Sequence, residues 1–173
     1  SRQAANRHIQ YLVTTGRLVA TGSTRNRKYT SKPFVEKTLT FELSEELEEN
    51  VIWRKYVNPD LVGYASQNVL DICHYGVTEM LNNVLDHSNA SSVSVKLLIT
   101  APKISIMIVD NGIGIFKKLQ TYFHLEDHRH AILELAKGKL TTDPKKHTGE
   151  GIFFTSRIFD TFSIMSNGIS YIR

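Results

Sequence analysis

The sequence predicts an α+β protein in which a small basic segment precedes a larger domain, and three observations lead there. Residues 103–109 (KISIMIV) alternate apolar and β-branched positions and run into Asp110, as a strand with one covered face does. Residues 66–87 keep a helical apolar period over a length that no ordinary strand reaches. Residues 1–30 contain Arg2, Arg7, Arg17, Arg25, Arg27 and Lys28 and no acid, a charge of +6 in a chain whose total is +4. The other 143 residues therefore sum to −2, so a basic segment is joined to a nearly neutral domain.

At 173 residues the chain can bury one core with a small appendage. The hydrophobic fraction is 41% and no apolar run approaches the roughly 18–20 residues that span a bilayer. No basic-then-apolar leader is present, and Cys73, the single cysteine, has no internal disulfide partner. These features predict a cytoplasmic protein with no membrane partner. A start at Ser1 and a final strand cut at Arg173 predict that the natural chain is longer.

In order along the chain, Ser1 caps a helix SRQAANRHIQYLV whose Ala5, Ile9, Leu12 and Val13 share a face, and Gly16 ends it. Residues 17–20 read as a short strand, Gly22-Ser23 as a turn, and residues 25–29 as a basic return strand. Residues 38–43 alternate as a strand, and a helix follows from Ser44 to about Tyr56, broken by Asn58-Pro59. In the long helix 66–87, Gly76 costs ~1 kcal/mol against alanine, so it marks close packing or a break. Residues 91–100 and 103–109 form a hairpin over Ala101-Pro102. Short helices are expected at 115–122 and 127–137, and an apolar helix at 152–159. A final hairpin, 161–166 with 169–173, turns at Asn167-Gly168.

Three stretches carry chemistry. Asp110-Asn111-Gly112-Ile113-Gly114 puts a carboxylate at a strand end, followed by two glycines that permit close backbone approach. Glu79, Asn83 and His87 recur at i, i+4 and i+8, a polar stripe that is either exposed surface or the wall of a site. A polar stretch, 138–148, contains Lys145 and Lys146 and leads to Gly149-Glu150-Gly151 and a helix. Free amides and the helix dipole favour a phosphate there. His124, Glu126, Asp127, His128 and His130 cluster without a firm zinc spacing and without thiols, and read as polar surface. Phe153, Phe154 and Phe159 read as core.

Two resemblances follow from these residues. The first thirty residues resemble the recognition helix and wing of a winged helix-turn-helix, without the helices that precede them in such modules, so the partial module spans residues 1–32. The likeness implies that Gln3, Asn6, Arg7 and Gln10 face a DNA major groove while Arg25 and Arg27 reach phosphates or the minor groove. Residues 37–173, with Glu79-x-x-x-Asn83, then Asp110-x-Gly112-x-Gly114, then Gly149-x-Gly151 opening a helix, resemble the GHKL ATP-binding superfamily. This is the Bergerat-type fold shared by gyrase, a class of heat-shock chaperones, histidine kinases and mismatch-repair ATPases. The Glu-x-x-x-Asn-x-x-x-His form is also similar to the bacterial anti-sigma-factor serine kinases.

The superfamily likeness implies a two-layer α/β sandwich, a mixed sheet with helices on one face, holding ATP and Mg²⁺. It implies that Asp110 accepts the adenine amino group and that Gly112 and Gly114 let the chain pass close to the nucleotide. Asn83 gives its side-chain oxygen to Mg²⁺, Glu79 orients or deprotonates the attacking water or hydroxyl, and His87 completes the stripe among the nucleotide-binding residues. The likeness also implies that residues 138–150 form a lid in which Gly149 and Gly151 amides, with Lys145 or Lys146, meet the phosphates. This sequence departs from the pattern in reading His147 where many kinases carry the first lid glycine, and in placing Glu150 between the glycines, as the mismatch-repair members do.

No helical dimerisation segment with a phosphoacceptor histidine precedes the domain, so a sensor histidine kinase is not expected. No Gly-x-x-x-x-Gly-Lys-Ser/Thr occurs, and the third glycine of a dinucleotide fingerprint falls on Lys117. The expected function is Mg-dependent ATP binding in a regulatory protein, with ATPase or protein-serine kinase chemistry directed at a protein partner. The alternative is a non-enzymatic ATP-gated transcription regulator that uses the N-terminal segment.

Overall fold

A computed structural model describes residues 1–138 and 150–173. It is a mixed α/β chain whose small sheets are a β1-β2 pair (Leu18–Thr21, Lys28–Ser31), a three-stranded sheet in the order β3-β4-β5 (Val35–Glu42, Ser92–Ile99, Ile104–Asp110), and a β6-β7 pair (Ser163–Ser166, Ile169–Ile172). The helices are α1 (Arg2–Thr14), α2 (Glu49–Ile52), α3 (Asn58–Leu61), α4 (Gln67–His87), α5 (Ile115–Tyr122), α6 (His128–Lys137) and α7 (Gly151–Ile158). Among the described residues no helix is long and apolar enough to cross a membrane.

The chain divides into two compact units. One comprises Ser1–Thr38 with Lys96–Met107, the other Leu39–Val95 with Ile108–Arg173. In the first unit, Ser1 Oγ accepts from Ala4 N and caps α1 as predicted, and Gly16 follows the helix at φ 69°. Ile9, Leu12 and Val13 are half-buried, whereas Ala5, expected on the same face, is exposed. The return strand is shorter than predicted. Residues 24–26 form a 3-10 turn, so Arg25 and Asn26 lie in the loop and β2 begins at Lys28, paired with Thr21. Gly22 makes this loop feasible: at φ +78° it leaves no room for a Cβ, which would lie 2.5 Å from Asn26 O. Phe34 N donates to Ile99 O at 2.7 Å.

In the second unit α4 is the spine. Cys73, Gly76, Val77, Leu81 and Val84 are its buried face, and α2, α3 and α7 pack on it. The helix expected from Ser44 to Tyr56 starts only at Glu49, because residues 45–46 form a separate turn, and Pro59 does not break it. Trp53–Val57 instead widens into a π turn in which Asn58 N reaches back to Trp53 O, and Pro59 begins a fresh turn, α3. A proline lacks the N–H and crowds the carbonyl four residues back, so it is accommodated where the ladder has already been reset. Gly76 marks close packing, not a break: a Cβ there would strike the ring of Phe159.

A further core lies beneath α5 and α6, where Phe116, Leu119, Ala131 and Leu135 are buried with Ile152, Ile164 and Ile169 packed against them. Of the phenylalanines assigned to the core, Phe154 is a correction, being 45% exposed on the open side of α7. β4 buries Val93, Val95, Leu97 and Ile99 along one face, as the middle strand of three should. On β5, Ile106, Ile108 and Asp110 face the half-buried side and Met107 and Val109 are exposed, so the strand has one covered face but no fully buried residue. The β6-β7 turn is Asn167-Gly168 with φ of 50° and 76°, the positive pair that tight hairpins favour.

Candidate functional site

All the described site residues belong to the second unit, and α4 organises them. Glu79, Asn83 and His87 are each half-buried, so the stripe is not an exposed helix face. Asn83 Nδ2 donates to Glu79 O at 2.8 Å, one turn back, which leaves Oδ1 as the amide's acceptor. The Glu79 carboxylate lies against Gly151, the first residue of α7, where any Cβ would collide with Glu79 Oε2. Glycine at 151 is what lets an acid from α4 approach the start of α7.

The C-terminal end of α4 receives the Asp110–Gly114 loop. The helix stops because Ser88 Oγ donates to Val84 O at 2.7 Å and Asn89 adopts φ 55°. Ser88 O then accepts from Ile113 N at 2.9 Å. Gly112 sits against that same carbonyl, and Gly112 N donates to Asp110 Oδ1 at 2.8 Å, an Asx-type turn that orients the carboxylate. Gly114, at φ +83°, sits against Ser166 and Asn167. Within the described residues, then, the space freed by Gly112 and Gly114 is taken by neighbouring protein atoms.

Two residues that sequence reasoning gave no role, Asn111 and Lys118, hold this arrangement, and a third, Tyr75, feels its charges. Asn111 Oδ1 accepts from the Ser91 and Ser92 amides at 2.9 and 3.1 Å, and its Nδ2 donates to Ser91 Oγ at 2.8 Å, tying the end of β5 to the start of β4. Lys118 Nζ donates to His87 O at 2.6 Å, a cation on the last carbonyls of α4, where the helix dipole favours it. Burial lowers the Lys118 pKa, while Asp86 opposes that shift. Tyr75 stands one turn before Glu79. Burial first, then the Glu79 and Glu150 carboxylates, hold its phenol above the ordinary 10.0. Both acids therefore act on one spot beside the start of α7. An asparagine between an aspartate and a glycine was a readable signal for the first of these residues, whereas the other two depend on contacts 31 and 75 positions apart in the chain.

Lys145, Lys146 and Gly149, with the rest of residues 139–149, lie outside the described residues. A shallow groove of about 410 Å³ is lined by Asp71, Ile72, Tyr75, Phe154 and Ile158, and does not include Glu79, Asn83 or Asp110. Among the described residues no three His, Cys, Asp or Glu side chains group as metal ligands. No family model, no curated protein and no solved structure matches the chain.

Proposed function

We propose that the second unit binds ATP with Mg²⁺ and serves a regulatory protein, as its likeness to the Bergerat-type sandwich suggests. The supporting observation is convergence. The Glu79-x-x-x-Asn83 stretch lies on α4, the Asp110–Gly114 loop reaches Ser88 at its C-terminal end, and Gly151 reaches Glu79, although the three stretches are widely spaced in sequence. The residues present suit such a ligand. Asp110 Oδ1 is already engaged with Gly112 N, and the carboxylate's remaining acceptor capacity suits an exocyclic amine. An oriented asparagine oxygen suits a hard cation. Bound Mg²⁺ would supply charge neutralisation at the phosphates.

Glu79 is the chain's candidate base: it can take a proton from a water or a serine hydroxyl. Its place beside Gly151 puts that acid where α7 begins. Glu150 adds a second negative charge near Tyr75, which makes a counter-cation more important than in a neutral site. Calorimetric titration of ATP tests the proposal. Millimolar or tighter binding that needs Mg²⁺ and disappears in Asp110→Ala is expected, and no heat from the parent protein at millimolar ATP would overturn it.

The second reading, ATP occupancy as a signal without turnover, is favoured by the basic balance of the first unit, which carries ten Lys and Arg residues against one acid, Glu36. Phosphate release, or transfer to a serine of a partner, that is lost in Glu79→Ala separates chemistry from sensing.

A further inference from the structure

Helix α7 is turned the wrong way for a helix with only its own chain to pack against. It buries Thr155 and Ser156, each 1% exposed, and leaves Phe154 and Ile158 45% and 38% exposed. A surface helix ordinarily does the reverse, hiding large apolar side chains and showing hydroxyls. The cause is its fit to α4. At Gly76 the Phe159 ring takes the place of a Cβ and the Thr155 methyl lies alongside, so the two helices approach closely through small groups. Phe154 and Ile158, one turn apart on α7, are left at the edge of that contact, with Asp71, Ile72 and Tyr75 of α4 completing the shallow groove of about 410 Å³.

The groove is apolar along its floor and negative along one wall. Helix α4 carries no Lys or Arg between Gln67 and His87, but three acids, Asp71, Glu79 and Asp86. Gln67 Nε2 donates to Asp71 Oδ1 at 2.8 Å, which leaves that carboxylate further acceptor capacity. Burial first, then the Glu79 and Glu150 carboxylates, raise the Tyr75 phenol, so this wall is both partly desolvated and negative. Arg157, the single Lys or Arg of α7, is drawn over the Phe153 ring at 3.4 Å and donates to Phe153 O at 3.1 Å. The wider surroundings agree: the first unit carries +9 in a chain of +4, so the second carries −5.

We infer that the α4–α7 groove seats a basic amphipathic helix of a partner protein, its apolar side chains against Ile72, Phe154 and Ile158 and its Lys or Arg against Asp71 and the Tyr75 ring. The inference is independent of the nucleotide proposal, because the groove includes none of Glu79, Asn83 and Asp110. Both walls are helices whose backbone groups are already paired, so an extended segment would find no ladder to join. A helix brings its own backbone bonds and offers anchors at i, i+3 and i+4. An aromatic ring beside carboxylates suits a cation, which can rest on the ring face while it meets the acid. The same acids repel nucleic acid and anionic lipid surfaces.

The test is fluorescence polarisation of the full chain with a labelled amphipathic Leu/Lys peptide of about 18 residues, long enough to be helical. Salt at ~150 mM suppresses long-range attraction. A Kd on the order of 10–100 μM is expected for so small a surface. The Leu/Glu counterpart, and a Leu/Lys peptide interrupted by proline, should bind at least about tenfold more weakly. Phe154→Ala/Ile158→Ala should weaken the Leu/Lys peptide by about tenfold or more. Met165→Ala removes an apolar side chain that is 74% exposed outside the groove, and should change nothing. Asp71→Lys should transfer the preference from the Leu/Lys to the Leu/Glu peptide. All the substituted positions are exposed, so circular dichroism should be unchanged in every variant. Four results would overturn the inference. These are no binding of the Leu/Lys peptide at millimolar concentration, equal losses in the groove and Met165 variants, an unchanged preference in Asp71→Lys, and a dimer in sedimentation that Phe154→Ala/Ile158→Ala dissociates, which would make a second copy the occupant.

Discussion

Helices α1 and α4 show what separates the two parts of this molecule. The first, 13 residues long, has no buried residue, while the second, 21 residues long, buries five and has a glycine pressed against a phenylalanine ring. Both are amphipathic, yet one keeps its polar face for solvent and the other turns its polar stripe half inward, against Gly151 at the start of α7. A helix of the first kind leaves its polar side chains in solvent. One of the second kind assembles a site from distant segments and holds it by packing. The charges agree, the unit with the exposed helix being strongly basic and the other acidic.

The largest effect that would break this contrast concerns stability. Leu81→Ala removes a fully buried side chain from α4 and should cost about 2–5 kcal/mol in urea unfolding. Ile9→Ala on α1 trims a half-buried side chain and should cost no more than about 1–2 kcal/mol. Comparable losses would show that α1 is as much a core element as α4. Next, Asn111→Ala deletes three hydrogen bonds between β4 and β5 and should lower stability by about 1–3 kcal/mol, although residue 111 is exposed. An unchanged unfolding midpoint would show that the Asp110–Gly114 loop holds its shape without that clamp.

Gly151→Ala sharpens the account of the site. It should leave stability near the parent's, since alanine favours a helix and the displaced Glu79 is flexible, but reduce affinity for Mg²⁺·ATP about tenfold. Full affinity would mean that Glu79 and Gly151 need not be adjacent. The smallest effect is a titration. The raised Tyr75 pKa means that the folded state keeps its proton longer than the unfolded chain, so the associated stability is complete below 10.0 and is lost as pH rises through the folded value. Glu79→Gln removes one of the causes, and the Tyr75 ring signal in NMR should then titrate closer to 10.0. No movement would place Glu79 too far away to act on α4's neighbouring turn.

Much of the fold was legible because its signals are local. Ser1 at the head of α1 and Asn167-Gly168 in the last turn act within a few residues, and each performs the role that its chemistry suggests. Gly76 was legible as an anomaly, but its partner Phe159, far along the chain, was not. The helix start at Glu49 was misplaced because Glu45 and Glu46 look like a first turn, and only packing decides which turn joins the helix. The π turn before Pro59 likewise has no local signature. Within the site, Asp110 and the α4 stripe could be singled out by pattern. Ser88 and Lys118 could not, since a serine at a helix end and a lysine on a short helix are ordinary until the Asp110–Gly114 loop and α5 arrive beside them.

Hydrogen exchange with and without Mg²⁺·ATP tests the central claim most directly, because it reads every segment of the chain at once. The account predicts slowed exchange at three separated stretches of the second unit, around Glu79–Ser88, Asp110–Ile115 and the first turn of α7, with α1 and the β1-β2 loop unchanged. Protection at none of the three in millimolar nucleotide, or protection confined to α1 and its loop, would contradict it.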